Sequence, residues 1–189
     1  MLIDTAIQEF RTLLRGPLVT PADDGYDEAR AIYNAMIDKR PALIAQCVDV
    51  ADVIAAVNFG RESGMDIAVR GGGPNGPGLG TVEGGLVIDL KLMKGIRVDP
   101  EAHTVQVQGG CTWGDVDHAT HPFGLSVPCG ILSSTGVGGL TLGGGVGHLT
   151  RRFGLTIDNL LAVDMVLADG RFVTASPDQH PDLFWAVRG

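Results

Sequence analysis

The sequence predicts an α+β fold, and three observations carry that prediction. A strand, a helix and a second strand follow one another over residues 42–70 and run straight into a glycine-rich loop. Two later stretches, 96–108 and 160–175, alternate apolar and polar residues about a turn, as hairpins do. Glycine is concentrated as well: six glycines fall in residues 71–80 and seven in residues 136–147. Glycine loses the most backbone freedom on folding, so such density marks either positive φ or close approach to the main chain.

In chain order, Ile7, Phe10, Leu13 and Leu14 recur at helical spacing over Thr5–Arg15, and Gly16-Pro17 ends that helix. Residues 21–25 read as a loop. Residues Tyr26–Met36 read as a second helical stretch, with Ala29, Ile32, Tyr33 and Met36 on one side, broken by Arg40-Pro41. Ala42–Val48 is a buried strand. Asp49 or Asp52 can cap the next helix, whose apolar residues are Val53, Ile54, Val57 and Phe59. Gly64 ends it, and Asp66–Arg70 is the second strand of a βαβ unit. Gly85–Leu90 is a further strand. Residues Ile96–Gln108 form a hairpin. Thr112 can cap a helix over Trp113–His121, which Pro122-Phe123-Gly124 terminates. Leu125–Pro128 reads as a short strand and 149–155 as helix or turn. Residues Leu160–Ala175 form a hairpin about Asp169-Gly170, and Asp182–Val187 begins a last helix. The chain stops at Gly189 just after that helix has begun, which reads as a fragment of a longer polypeptide.

Composition narrows the function. The 189 residues are 44% hydrophobic and 19% charged, enough to bury a core as one large domain or two small ones sharing a core. The net charge of -8 argues against nucleic-acid and anionic-membrane partners, which call for basic patches. Cys47, Cys111 and Cys129 have neither disulfide nor zinc spacing and read as reduced, mostly buried thiols. With no basic-then-apolar leader and no run of about 18 apolar residues, a cytoplasmic location is expected by default.

Both glycine loops read functionally as phosphate cradles, because a pyrophosphate is held by rows of bare N–H groups. Tight turns and close strand packing are the alternative explanation. The first loop lacks the Gly-Lys-Ser/Thr of a Walker loop, and no long helix with a later acidic residue follows it as in a Rossmann unit. A nucleotide would therefore be held in a third way. Arg70 suits a phosphate or an ion pair with a core-edge carboxylate equally well. His148 could approach a bound ring but reads better as an ordinary histidine. His118 and His121 read as solvated, and no metal site is expected.

Several ordered motifs resemble one family. They are Val69-Arg70-Gly71-Gly72-Gly73-x-Asn75-Gly76, Gly84–Leu90, Thr135–Gly147, Gly154–Asn159 and Asp182–Gly189. Together they span roughly residues 40–189 and resemble the FAD-linked oxidases of the vanillyl-alcohol oxidase/p-cresol methylhydroxylase superfamily. The branch they resemble holds the bacterial relatives of berberine bridge enzyme and 6-hydroxy-D-nicotine oxidase. The resemblance implies a PCMH-type fold of two α/β subdomains around an extended FAD. On this chain these would be a lead-in (1–38), subdomain one (about 39–92) and an incomplete subdomain two (about 93–189), truncated before the substrate domain.

The first loop would hold the pyrophosphate, and the second would follow the ribityl chain and flavin ring. The cofactor-binding residues so implied are Arg70, Gly71, Gly72, Gly73, Pro74, Asn75, Gly76, Leu79 and Gly80. From the rest of the chain come Pro128, Gly130, Thr135, Gly136, Gly138, Gly139, Leu142, Gly145, Gly147 and Val163. The implied reaction is hydride transfer from an alcohol or amine carbon of a small molecule to flavin N5, with dioxygen the usual acceptor.

Three departures matter. Many members carry a flavin-linking His where this chain has Pro74, and a second linking Cys where it has Leu132. Cys129 lies three residues too early to take that role, so FAD should be non-covalent. The family's catalytic bases lie mostly beyond residue 189, so no catalytic residue is assigned. A missing half would expose apolar surface and favour self-association. A catalytically silent FAD-fold fragment acting as an interaction module, and a sugar-nucleotide reductase with the same fold, are the alternative readings.

Overall fold

The computed structural model describes residues 2–188, the side chains of residues 2–4 aside. Contacts divide the chain into two units. The first holds residues 1–70, 74–92 and 166–172; the second holds 71–73, 93–165 and 173–189.

The first unit is built on a four-stranded sheet. Strands β1 (Leu18–Val19), β2 (Leu43–Gln46), β3 (Ile67–Arg70) and β4 (Leu86–Asp89) lie in the order β1-β2-β4-β3. Both β2 and β3 run parallel to β4, which sits between them. The expected βαβ unit is thus split: its two strands never pair directly. The unbroken apolar runs of β2 and β4 follow from this, because a central parallel strand is covered on both faces. Leu43, Ile44, Leu86, Val87 and Ile88 are all buried. Strand β1, unforeseen from the sequence, adds to the edge antiparallel to β2.

Helix α1 (Leu2–Leu13) packs on α3 (Val50–Glu62), where the rings of Phe10 and Phe59 stack with centroids 4.1 Å apart. Asp49 caps α3, its carboxylate accepting from the N–H groups of Ala51 (3.0 Å) and Asp52 (3.1 Å). Asp52 is buried and does something else. It gathers the main-chain N–H groups of Arg15 (2.8 Å), Gly16 (3.1 Å) and Val48 (2.9 Å), tying the chain after α1 to the start of α3.

The second expected helix is mostly absent. Helix α2 spans only Tyr26–Arg30, and Ala31 is already extended. The Arg30 guanidinium bonds Asp27 (2.6 Å), Asp38 and the Lys39 carbonyl, so the chain must turn back toward it. Of the proposed apolar stripe Ala29 is buried, whereas Tyr33 and Met36 are exposed.

In the second unit, β5 (Ile96–Asp99) and β6 (Thr104–Val107) form the expected antiparallel hairpin. Helix α4 spans Trp113–Thr120, and a 3-10 turn extends it through Phe123. The Asp115 carboxylate reaches back to the N–H (2.7 Å) and hydroxyl (2.9 Å) of Thr112 and pairs with Lys94 (2.7 Å). The expected strand 125–128 does not form. Leu125 is tied to the end of α4 by its N–H on the Thr120 carbonyl (3.3 Å), and Pro128 has no N–H to give a ladder.

Helices α5 (Val137–Leu142), α6 (Thr150–Phe153) and α7 (Pro181–Ala186) complete the helical complement. Strands β7 (Val163–Val166) and β8 (Phe172–Ala175) pair as a hairpin. At its tip Gly170 donates to the Leu167 carbonyl (2.9 Å), and of the Asp169-Gly170 pair only Gly170 has positive φ. That is a longer loop than a two-residue primed turn.

The Asp115 contacts carry a pH dependence. The Lys94 ammonium, then the Thr112 N–H, hold the Asp115 carboxyl down at about 2, from a usual 3.8. A folded-state value below the unfolded one means stability that is complete above about pH 4 and is lost as pH falls through about 2. Thermal unfolding from pH 5 to pH 2 is expected to show this loss. Asp115→Asn is expected to flatten that part of the profile, and added salt to do so partly, since both side chains are half in solvent.

Candidate FAD-binding site

Arg70 ends β3, directly opposite Asp89 in the ladder. Its guanidinium donates to the Asp89 carboxylate (2.7 Å) and to the Ala29 carbonyl (2.7 Å). Asp89 is fully buried and Arg70 nearly so. Of the two roles open to Arg70 from the sequence, the structure therefore displays the ion pair.

The next three residues belong to the second unit. A Cβ on Gly72 would fall on the Gly110 carbonyl, 2.8 Å from the Cys111 oxygen. One on Gly73 would fall on the Gly136 nitrogen and 2.6 Å from its Cα. Main chain here touches main chain, which only glycine permits. Gly71 sits beside the Gly109 carbonyl, to which the Gly72 N–H donates (3.3 Å).

In the first unit, Pro74, Asn75, Gly76 and Leu79 are exposed, and Gly80 is buried against the Arg70 side chain. The Asn75 carboxamide oxygen accepts the Leu79 N–H at 2.8 Å.

The second glycine loop is not all loop. Residues 137–142 form α5, despite two glycines in its first turn. Glycine disfavours helix by about 1 kcal/mol per residue, so tertiary anchors must fix this one. Val137 N–H supplies one by donating to the Cys111 carbonyl (3.0 Å); within the helix itself the buried Thr141 hydroxyl bonds the Val137 carbonyl (2.7 Å). Gly136 precedes the helix, and the Thr135 carbonyl accepts from Trp113 (2.9 Å).

Among the described residues, the N–H groups of Gly138 and Gly139 find no acceptor, and a Cβ on either would meet nothing within 4 Å. The N–H groups of Gly73, Asn75 and Gly76 likewise find no acceptor among the described residues.

The other sequence-predicted residues fall as follows. Leu142 closes α5 and is part-exposed. Gly130 packs against Leu140, Gly145 against Thr156, and Gly147 against the Cys129 carbonyl. Pro128 is half-buried in irregular chain, and Val163 is half-buried at the start of β7. His118 and His121 are exposed, as is His148. Burial pushes the Cys129 thiol up, and pushes Cys47 up to about 12, which leaves neither poised as a nucleophile at neutral pH. Asn34 was not singled out from the sequence, which placed it in a helix. Its side chain reaches the Gly76 carbonyl at 3.0 Å. No local signal marks a bond across 42 residues.

Residues 41–176 match the FAD binding domain family, and the chain belongs to that family. Within it, the chain falls with the berberine bridge enzyme-like and 6-hydroxynicotine oxidase-like members of the p-cresol methylhydroxylase-type superfamily. It is 39% identical over 176 residues to the (R)-6-hydroxynicotine oxidase of Paenarthrobacter nicotinovorans, covering 93% of this chain and 38% of that protein. The BBE-like 1 structure from Physcomitrella patens superposes with a TM-score of 0.91 at 32% identity, over 97% of this chain and 40% of the other. The xylooligosaccharide oxidase of Myceliophthora thermophila, solved with xylobiose, gives 0.90 at 32% identity, over 100% and 40%. The chain thus spans about two-fifths of the length of these relatives. No helix among the described residues is long and apolar enough to cross a membrane.

Proposed function

We propose that this chain is the FAD-holding part of an oxidoreductase that oxidises an alcohol or amine carbon of a small molecule. The observation that carries the reading is the set of unpaired N–H groups in both glycine-rich segments. Among the described residues, Gly73, Asn75 and Gly76 supply three, and Gly138 and Gly139 supply two more beside open space. N–H donors of this kind suit an anionic diphosphate or a polar linker without net positive charge, as an acidic chain requires.

The residues that would line the cofactor are Gly71–Gly73, Pro74, Asn75, Gly76, Leu79 and Gly80 in one segment. The others are Arg70, Pro128, Gly130, Thr135, Gly136, Gly138, Gly139, Leu142, Gly145, Gly147 and Val163. Bound FAD supplies the hydride-accepting ring, with dioxygen taking the electrons afterwards. The chain's own residues would bind and orient it, the unpaired N–H groups as donors to the phosphates and the glycines by leaving the main chain open to approach. A cytoplasmic location and self-association belong to the same reading. FAD is held without a covalent bond, because Pro74 carries no nucleophile and Leu132 none either.

The visible spectrum of the purified protein, followed by acid precipitation, tests this. Flavin bands that move into the supernatant are expected. Flavin retained in the pellet would overturn non-covalent binding. Absence of flavin bands even after added FAD would overturn the reading altogether.

A further inference from the structure

We propose that Asn34 is a positioning residue for the first glycine-rich loop, one that takes the Gly76 carbonyl out of the field of a bound diphosphate. The inference rests on the FAD-binding reading above. Its starting point is Pro77. Proline has no N–H, so the peptide unit between Gly76 and Pro77 offers only an acceptor. A carbonyl oxygen left beside a phosphate would repel it and offset the attraction of neighbouring N–H groups.

The structure shows where that carbonyl goes. The Asn34 side-chain amide donates to it at 3.0 Å, while the Asn34 carboxamide oxygen accepts the Met36 N–H at 3.2 Å. Three further acceptors near it are engaged within the loop. The Asn75 carbonyl takes the Gly78 N–H (3.2 Å), the Gly78 carbonyl takes the Thr81 N–H (3.4 Å), and the Asn75 side chain takes the Leu79 N–H (2.8 Å).

Among the described residues the N–H groups of Asn75 and Gly76 find no acceptor, and nothing lies within 4 Å of a Cβ on Gly76. Successive main-chain N–H donors left without an acceptor in a turn attract anions, the more so when a neighbouring carbonyl is tied elsewhere. The segment 31–40 also seats the loop apolarly, since Ile32 and Ile37 fill the space beside Gly78. Asn34 is its polar tie to the peptide that lacks a donor.

The test uses Asn34→Asp and Asn34→Ala in the full-length protein stripped of flavin. Binding of FAD, ADP and riboflavin is followed by calorimetry, and melting is recorded alongside. Aspartate can still accept the Met36 N–H but cannot donate to the Gly76 carbonyl. We expect both variants to lose about tenfold in FAD and ADP affinity, the usual effect of one lost hydrogen bond near a charge. Riboflavin, which has no phosphate, is expected to bind unchanged, and the Asn34→Asp variant to melt as the wild type does.

ADP affinity restored to the wild-type level in Asn34→Asp would overturn the proposal, because it would reduce Asn34 to holding its own turn. Equal losses for ADP and riboflavin would overturn it too, by revealing a general loosening. Failure of the wild-type protein itself to bind FAD or ADP would remove the cofactor reading and this role with it.

Discussion

Gly73→Val is expected to destabilise the protein severely, and Gly72→Val to do nearly the same. In each case the added carbon falls on main-chain atoms of residues 110–111 or 136, not on the far end of a flexible side chain. Backbone cannot step aside without losing the contacts that join residues 71–73 to the rest of the second unit. One of these is the Gly72 bond to the Gly109 carbonyl. Overpacking of this kind costs about 3 kcal/mol or more, a fall of roughly 6–12 °C in Tm for a chain of this size. Gly138→Ala is the matched control. Its Cβ meets nothing within 4 Å, and alanine suits a helix better than glycine. Its Tm is expected to hold or rise slightly, while FAD affinity falls at least about tenfold. A Gly138→Ala protein that keeps full affinity would place the cofactor away from that helical turn.

The second large effect is expected at Arg70 and Asp89. Arg70→Met leaves the fully buried Asp89 carboxylate with the Lys91 N–H (3.1 Å) and a Lys91 ammonium 3.9 Å away. Asp89→Leu leaves a largely buried guanidinium with the Ala29 carbonyl alone. Breaking a buried pair from one side costs about 3–5 kcal/mol, because the remaining charge is stranded. Removing both charges together is far less costly. Chemical denaturation of the two single variants and the double variant Arg70→Met/Asp89→Leu is therefore expected to show strong non-additivity, the double melting well above either single. Simple addition would mean that the two residues act independently. FAD binding in the double variant then decides the role of Arg70. Affinity near wild type assigns the guanidinium to the ion pair, and a large loss assigns it to a phosphate.

Much of the local structure was legible in the sequence, and the reason is that its signals are local. Asp49 before an apolar run caps α3 because a short carboxylate at that position reaches the next free N–H groups. The 96–108 hairpin follows from alternation about a turn, and the tip of the second from an Asp-Gly pair. The unbroken apolar run of β2 announced a buried strand. Glycine density marked where main chains come close, and ordered motifs pointed to the FAD binding domain family.

What the tertiary structure alone decided depends on contacts between residues far apart in the chain. Periodicity does not say which strand lies between which, so β4 enters between β2 and β3 only once all three share a core. Residues 31–36 carry a helical pattern, yet Arg30 draws the chain back to Asp38 and ends the helix. Residues 137–142 include two glycines in the first turn, yet the bond from Val137 to the Cys111 carbonyl anchors a helix there. The segregation of the loop glycines into those that touch main chain (Gly72, Gly73, Gly136) and those that face open space (Gly76, Gly138, Gly139) is also a tertiary fact. So is the bond from Asn34 to Gly76. A sequence states which residue can make such a contact, and only the folded chain supplies the neighbour that makes it.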